Sequence, residues 1–191
     1  MKSDIPVPES MKFLPIRKGL PVPYVADWTG ETDSYVTHDS KLNRKVLATG
    51  GRMGTGEPMF GRQNPMRQRQ CMMNNRCQVC SNDITEDYVW FIAGWVPNDA
   101  NVAAVEPLVP VIEEPPLCTP CARYAVQICP GLRRDVEGQY SGLIVYKTYE
   151  YQHLMQAGNI PGAKKPVVHF VLAQLMSYTK FTVPEFLELT A

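Results

Sequence analysis

Arg76-Cys77-Gln78-Val79-Cys80 and Cys118-Thr119-Pro120-Cys121 decide how this sequence reads. Each is a Cys-x-x-Cys pair, and two intervening residues let both sulfurs turn toward one point, the bite a tetrahedral metal ion needs. Residues 81–117 separate the pairs, a gap of 37 residues that is long enough for a β-hairpin. Four thiolates on one zinc ion would make a closed structural site, with no position left for a reactive water. Cys77, Cys80, Cys118 and Cys121 are therefore the candidate zinc ligands. Other uses of four cysteines stay open. Disulfides would need an oxidising compartment, and a redox pair normally sits in a thioredoxin-like βαβ pattern, which the flanking sequence does not display. An iron–sulfur cluster could draw on Cys71 or Cys129. Cys129 otherwise reads as a core residue and Cys71 as a packed thiol.

The residues around the pairs supply the elements. Tyr88-Val-Trp-Phe-Ile-Ala-Gly-Trp-Val96 is β-branched and aromatic, a buried strand or two strands bent at Gly94. Asn98, Asp99 and Asn101 signal a turn, and Val102 to Val111 reads as a return strand on an edge. A helix is predicted over 119–130, with Thr119 as cap, Pro120 in the first turn and Pro130-Gly131 as terminator. Its apolar stripe is Ala122, Ala125, Val126 and Cys129. The order knuckle, hairpin, helix is that of a treble-clef zinc finger, with Cys121 in the first helical turn, where the dipole favours thiolate. Farther on, Leu143–Tyr151 reads as a strand and Val167–Met176 as a second, with a helix the alternative for the latter.

Outside this core, residues 1–26 hold five prolines, so an extended arm packed on the body is expected rather than a helix. Residues 27–191 then form one zinc-binding domain, with a basic loop at 41–76, the zinc core at 77–131 and C-terminal strands at 140–180. The expected fold class is α+β: a treble-clef-like core of knuckle, β-hairpin and short helix, with extra strands and the proline-rich arm.

Charge is zero overall but unevenly spread. Residues 41–76 set eight lysines and arginines against Glu57 alone, and residues 83–117 carry seven carboxylates and no basic residue. The two stretches could neutralise each other on folding. A short helix is expected near 65–75, which would place Arg62 and Arg69 on one face, with Arg67 nearby and Arg76 one step beyond. Those four arginines are the candidate contacts for a partner or for phosphates. A zero net charge excludes a global field that would drive binding to nucleic acid or lipid. No apolar run approaches the ~20 residues of a membrane span, and the start lacks a signal-peptide core. A cytoplasmic location with reduced cysteines is expected.

Two resemblances follow. Arg76-Cys-Gln-Val-Cys80 with its following strand looks like the front of an HNH nuclease. Those enzymes need histidines to activate water at the metal, and His38, His153 and His169 all lie outside the interval between the pairs. A nearer likeness adds Phe91-Ile-Ala-Gly94, Glu114-Pro-Pro-Leu-Cys118-Thr-Pro-Cys121-Ala, Ile128-Cys-Pro130 and Leu20-Pro-Val-Pro-Tyr24. Over roughly residues 18–150 the chain resembles a family of small uncharacterised zinc-binding proteins of actinobacteria and their phages. Cys118 stands where that family has histidine; both side chains bind zinc. The resemblance implies a zinc fold and no particular activity.

The functional expectation is a non-catalytic, zinc-stabilised binding protein, a protein-interaction adaptor such as a phage factor acting on a host protein. The proline-rich arm and the methionines Met53, Met59, Met66, Met72 and Met73 suit adaptable contacts. The alternative is a nucleic-acid-binding module using the 41–76 stretch; a second alternative is a degenerate HNH relative. Gly50-Gly-Arg-Met-Gly-Thr-Gly56 lacks the Gly-Lys-Ser/Thr ending of a phosphate-binding loop. No small-molecule substrate is expected.

Overall fold

The computed structural model describes residues 5–31, 33–95, 110–137, 141–161 and 163–191. After a 3-10 turn, Glu9–Met11, come the strands β1 (Ile16–Arg17), β2 (Leu20–Pro21), β3 (Ala26–Trp28), β4 (Ser34–Asp39), β5 (Arg44–Thr49) and β6 (Pro58–Gln63). Helix α1 (Pro65–Met73), β7 (Tyr88–Trp95), β8 (Val111–Ile112), α2 (Thr119–Ile128) and α3 (Pro130–Glu137) follow. Two long strands, β9 (Ser141–Gly158) and β10 (Val167–Thr182), lead to α4 (Val183–Leu189). The chain is a mixture of helix and strand in which strand predominates. Among the described residues, no helix is long and apolar enough to cross a membrane.

The main sheet runs β4-β5-β10-β9-β7, with β8 also pairing with β10. β9 and β10 form an antiparallel ribbon, β7 is antiparallel to β9, and β10 touches β5 in parallel at Val168 and Val46. The alternation of β7 decides the layers. Val89 and Phe91 join one apolar cluster with Leu143 and Val145, the cysteines, α2 and Phe186 of α4. Trp90 and Ile92 join the other with Ile144, Tyr146, Val171, Leu175 and Met72 of α1. Successive strand residues point to opposite faces, so β7 is covered on both sides and reads as an unbroken apolar run. The layer that carries the clustered cysteines is thus one cover of the sheet and α1 the other.

Within the proline-rich segment, Met11, Leu14, Val22 and Val25 are buried. The expectation of an irregular loop over 41–76 is corrected. That stretch forms β5 and β6 before α1; Val46 and Ala48 bury one side of β5 and Thr49 is buried on the other. Residues 41–43, 50–57 and 74–75 remain turns or loop; at Gly51 (φ +87°) a Cβ would lie 2.1 Å from the Gly30 carbonyl oxygen, so glycine is required. Helix α1 has its Asn64 side chain accepting from the Met66 and Arg67 amides, with Pro65 in the first turn.

The hairpin expected between the cysteine pairs takes another form. β7 finds its neighbour in β9, while β8 pairs with β10. The returning chain meets β7 at a single bridge, Val89 to Leu117. Most of the expected return strand, Val102 to 109, lies outside the described residues, as do Asn98, Asp99 and Asn101. Helix α2 stops at Ile128, and Pro130 opens α3 rather than ending the helical region: its fixed φ and missing N–H suit a first turn. The C-terminal strands are longer than predicted, since exposed positions, Leu154 and Met155 among them, continue the ribbon beyond Tyr151 and Met176.

Candidate metal centre

The first pair sits on a tight turn after α1. The Arg76 amide donates to the Cys71 carbonyl at 2.8 Å, and the Ser81 amide to the Cys77 carbonyl at 2.8 Å. Ser81 itself has φ +60°, a left-handed residue that reverses the chain. The Cys77 amide donates to the Asn82 carbonyl at 2.9 Å, closing the knuckle. Arg76 and Asp83 clamp its base through a bridge and an ion pair of 2.9 Å.

The second pair opens α2. Cys118 is the N-cap and Cys121 lies in the first turn. The sequence points to Thr119 as cap; the structure uses Cys118, whose sulfur joins the cluster, and no side chain caps the helix. Pro120 removes one of the amides that a cap would have served. The Gln78 amide donates to the Pro116 carbonyl at 2.9 Å, stitching the knuckle to the strand that delivers Cys118.

All four sulfurs lie within 4.8 Å of one another and could hold a metal ion. Cys80 and Cys118 Sγ are 3.9 Å apart. Cys77, Cys80 and Cys121 are fully buried, and Cys118 is partly exposed. All six cysteines are free thiols, so the cluster is not a pair of disulfides. Hydrogen bonds from the Cys118, Cys121 and Cys77 side chains, with the Asn82 backbone amide, push the Cys80 pKa down. Cys118 is lowered by the Cys121 side chain first, then by that of Cys77, with a smaller contribution from the Cys121 backbone amide. Burial pushes Cys77 up, and the Cys118 sulfur pushes Cys121 up. Crowded sulfurs share negative charge unequally: some ionise readily and the others retain protons until a cation displaces them.

The arm closes over this cluster. Tyr24 and Val25 amides donate to the Val79 and Gln78 carbonyls at 2.9 and 3.1 Å, backing the knuckle. Ser10 Oγ lies 3.7 Å from Cys121 Sγ. Sequence reasoning had no signal for Ser10, because its role depends on where the 3-10 turn lands. Cys71 is outside the ligand set; its Sγ faces the Cys77 carbonyl at 3.7 Å, and burial pushes its pKa up to about 12. Cys129 is half-buried at the end of α2.

The four arginines do not form one outward face. Arg67 and Arg69 are buried. Arg67 makes a bidentate pair with Glu31, at 2.5 and 2.7 Å, and also donates to the Ala26 carbonyl. Arg69 donates to the His169 carbonyl at 3.2 Å, and burial lowers its pKa. Arg62, half-exposed on β6, pairs with the fully buried Asp27 at 3.0 Å. Arg76 holds Asp83 beside the knuckle. The physical reason is that α1 packs on the sheet through the face that carries Arg67 and Gln68, and each buried guanidinium needs an acceptor. Neutralisation between 41–76 and 83–117 occurs at Arg76 and Asp83; the other acidic partners, Asp27 and Glu31, lie upstream. Both were missed because isolated acidic residues leave no pattern. Asn64 also bonds Asp27 and Thr49, tying the helix cap into the same buried network. His153 meets the Met72 carbonyl at 3.0 Å, and His38 lies on β4.

No family model, curated protein or solved structure matches the chain. The likeness to the actinobacterial and actinophage family rests on the sequence motifs alone.

Proposed function

We propose that the chain is a non-catalytic binding protein whose Cys77, Cys80, Cys118 and Cys121 hold one structural zinc ion. The observation that carries this reading is the mutual approach of four sulfurs within 4.8 Å, three of them fully buried. Tetrahedral zinc with Zn–S bonds of about 2.3 Å sets its sulfurs about 3.8 Å apart, near the 3.9 Å between Cys80 and Cys118. A four-thiolate shell fills the coordination sphere, so the ion would tie the knuckle to the start of α2 rather than activate water. The sequence of knuckle, strand and helix is that of a treble-clef variant whose hairpin partner comes from β9. Free thiols suit a reducing, cytoplasmic setting.

Between the two binding classes, the arrangement favours a protein partner. Arg67 and Arg69 are committed internally and Arg62 and Arg76 are paired, which leaves a weaker basic field than the sequence suggests. Tyr35, Phe60 and Met66 are exposed for adaptable apolar contact. The test is fluorescence anisotropy with random-sequence DNA and RNA. At ~150 mM salt no binding tighter than ~1 μM is expected; a tighter constant with a steep salt dependence would replace the adaptor reading by the nucleic-acid one.

A further inference from the structure

β9 and β10 pair over nearly their whole length, from Ile144 with Thr182 to Gly158 with Val167. β7 covers the other side of β9 only as far as Thr148. Among the described residues, no strand pairs with the remaining edge, 149–158. Gln152 to Ala157 are six consecutive exposed residues. A free edge of this length carries a row of unpaired amides and carbonyls, and natural sheets blunt such edges with lysine, proline, bulges or cover. This one has no proline and no lysine or arginine, and its single formal charge is Glu150. The register of β9 against β10 adds no extra β9 residue between Glu150 and Gly158. It exposes Tyr149, Leu154 and Met155. The opposite edge, β4, differs: it ends in Asp39 and lies beside the exposed Arg44 and Lys45.

We propose that residues 150–158 of β9 pair antiparallel with the same residues of a second copy, joining two sheets into one across a two-fold axis. Identical edges meet antiparallel when the axis stands perpendicular to the sheet, and side chains then face the same way only if paired residue numbers sum to an even value. Placing Leu154 on the axis satisfies this. Glu150 then meets Gly158, Gln152 meets Gln156, and His153 meets Met155, so no like charges oppose one another. Placing His153 on the axis instead would set two titratable rings face to face. Nine paired residues span about 30 Å. With side chains on both faces they bury on the order of 1,000 Å² in total, the lower bound for a specific interface. A charged partner strand would find no complement on this edge, whereas a second copy matches it in length and neutrality.

Sedimentation velocity over a wide range of protein concentration tests the proposal. The zinc-loaded chain should show a reversible dimer. Leu154→Lys sets two ammonium groups together at the axis and should weaken the dimer by roughly tenfold or more, with bound zinc and circular dichroism unchanged. Leu154→Cys should form an intermolecular disulfide under mild oxidation, while Tyr35→Cys on β4 and the unaltered chain should not. A chain that stays monomeric throughout would overturn the proposal. So would a dimer indifferent to Leu154→Lys, or Tyr35→Cys cross-linking as readily as Leu154→Cys.

Discussion

Replacing Arg67 by alanine should destabilise the fold by about 3–5 kcal/mol, because it removes one partner of a buried ion pair and leaves the other uncompensated. The side chains of Arg67 and Glu31 are 10% and 5% exposed, so little solvent screens them. Three charge-assisted hydrogen bonds disappear together: two to the Glu31 carboxylate and one to the Ala26 carbonyl. Among the described residues, Glu31 would keep the Trp28 amide, at 3.0 Å. In a chain of this size each kcal/mol lowers the melting temperature by about 2–4 °C, so a fall of about 6–20 °C is expected. Arg76→Ala is the matched control. Its partner Asp83 is 71% exposed, and such a pair is worth within about 1 kcal/mol. Calorimetry of both variants with metal saturated measures the difference. If Arg67→Ala is no more destabilising than Arg76→Ala, the buried-pair reasoning is wrong and Arg67 is free to serve as an external contact.

Three further outcomes follow from the metal layer. Ser10→Ala should lose metal to a chelator several times faster than the unaltered chain, since the Ser10 hydroxyl steadies the Cys121 sulfur; equal rates would remove Ser10 from the site. Cys129→Ala should retain one equivalent of metal and cost about 1–2 kcal/mol, read by metal analysis and urea unfolding; loss of metal would make Cys129 a ligand. Metal occupancy should fall as pH falls, because every ligand must be deprotonated. Loading metal near neutral pH should release protons chiefly from Cys77, raised by burial, and Cys121, raised by Cys118, which a pH-stat would record.

The parts of the molecule legible in sequence are those with a local signature. Two Cys-x-x-Cys pairs name the candidate ligands because the bite is set by spacing, and the four sulfurs do converge. Thr119-Pro120 marks the start of α2 through proline's fixed φ, although Cys118 rather than Thr119 takes the cap position. β7 was legible from its composition, since a strand buried on both faces reads as continuous apolar residues. Its partner was not. β9 lies 46 residues beyond Trp95 at its nearest, and nothing in either strand names the other. The arginines misled for a similar reason. Seven-residue spacing puts Arg62 and Arg69 on one face of a helix, but β6 ends at Gln63 and α1 begins at Pro65. Arg62 is therefore on a strand, and the helix turns Arg67 inward to Glu31. Partners such as Asp27, Glu31 and Ser10 are single residues brought close by the fold, so only the structure reveals them.

The account stands on the claim that one zinc ion is held by four sulfurs. X-ray absorption at the zinc edge, on protein purified without added zinc, tests it most directly. The expected spectrum is a single shell of four sulfur scatterers at about 2.3 Å, with one equivalent of zinc per chain. A metal-free protein, or a shell mixing sulfur with nitrogen or oxygen, would contradict the account.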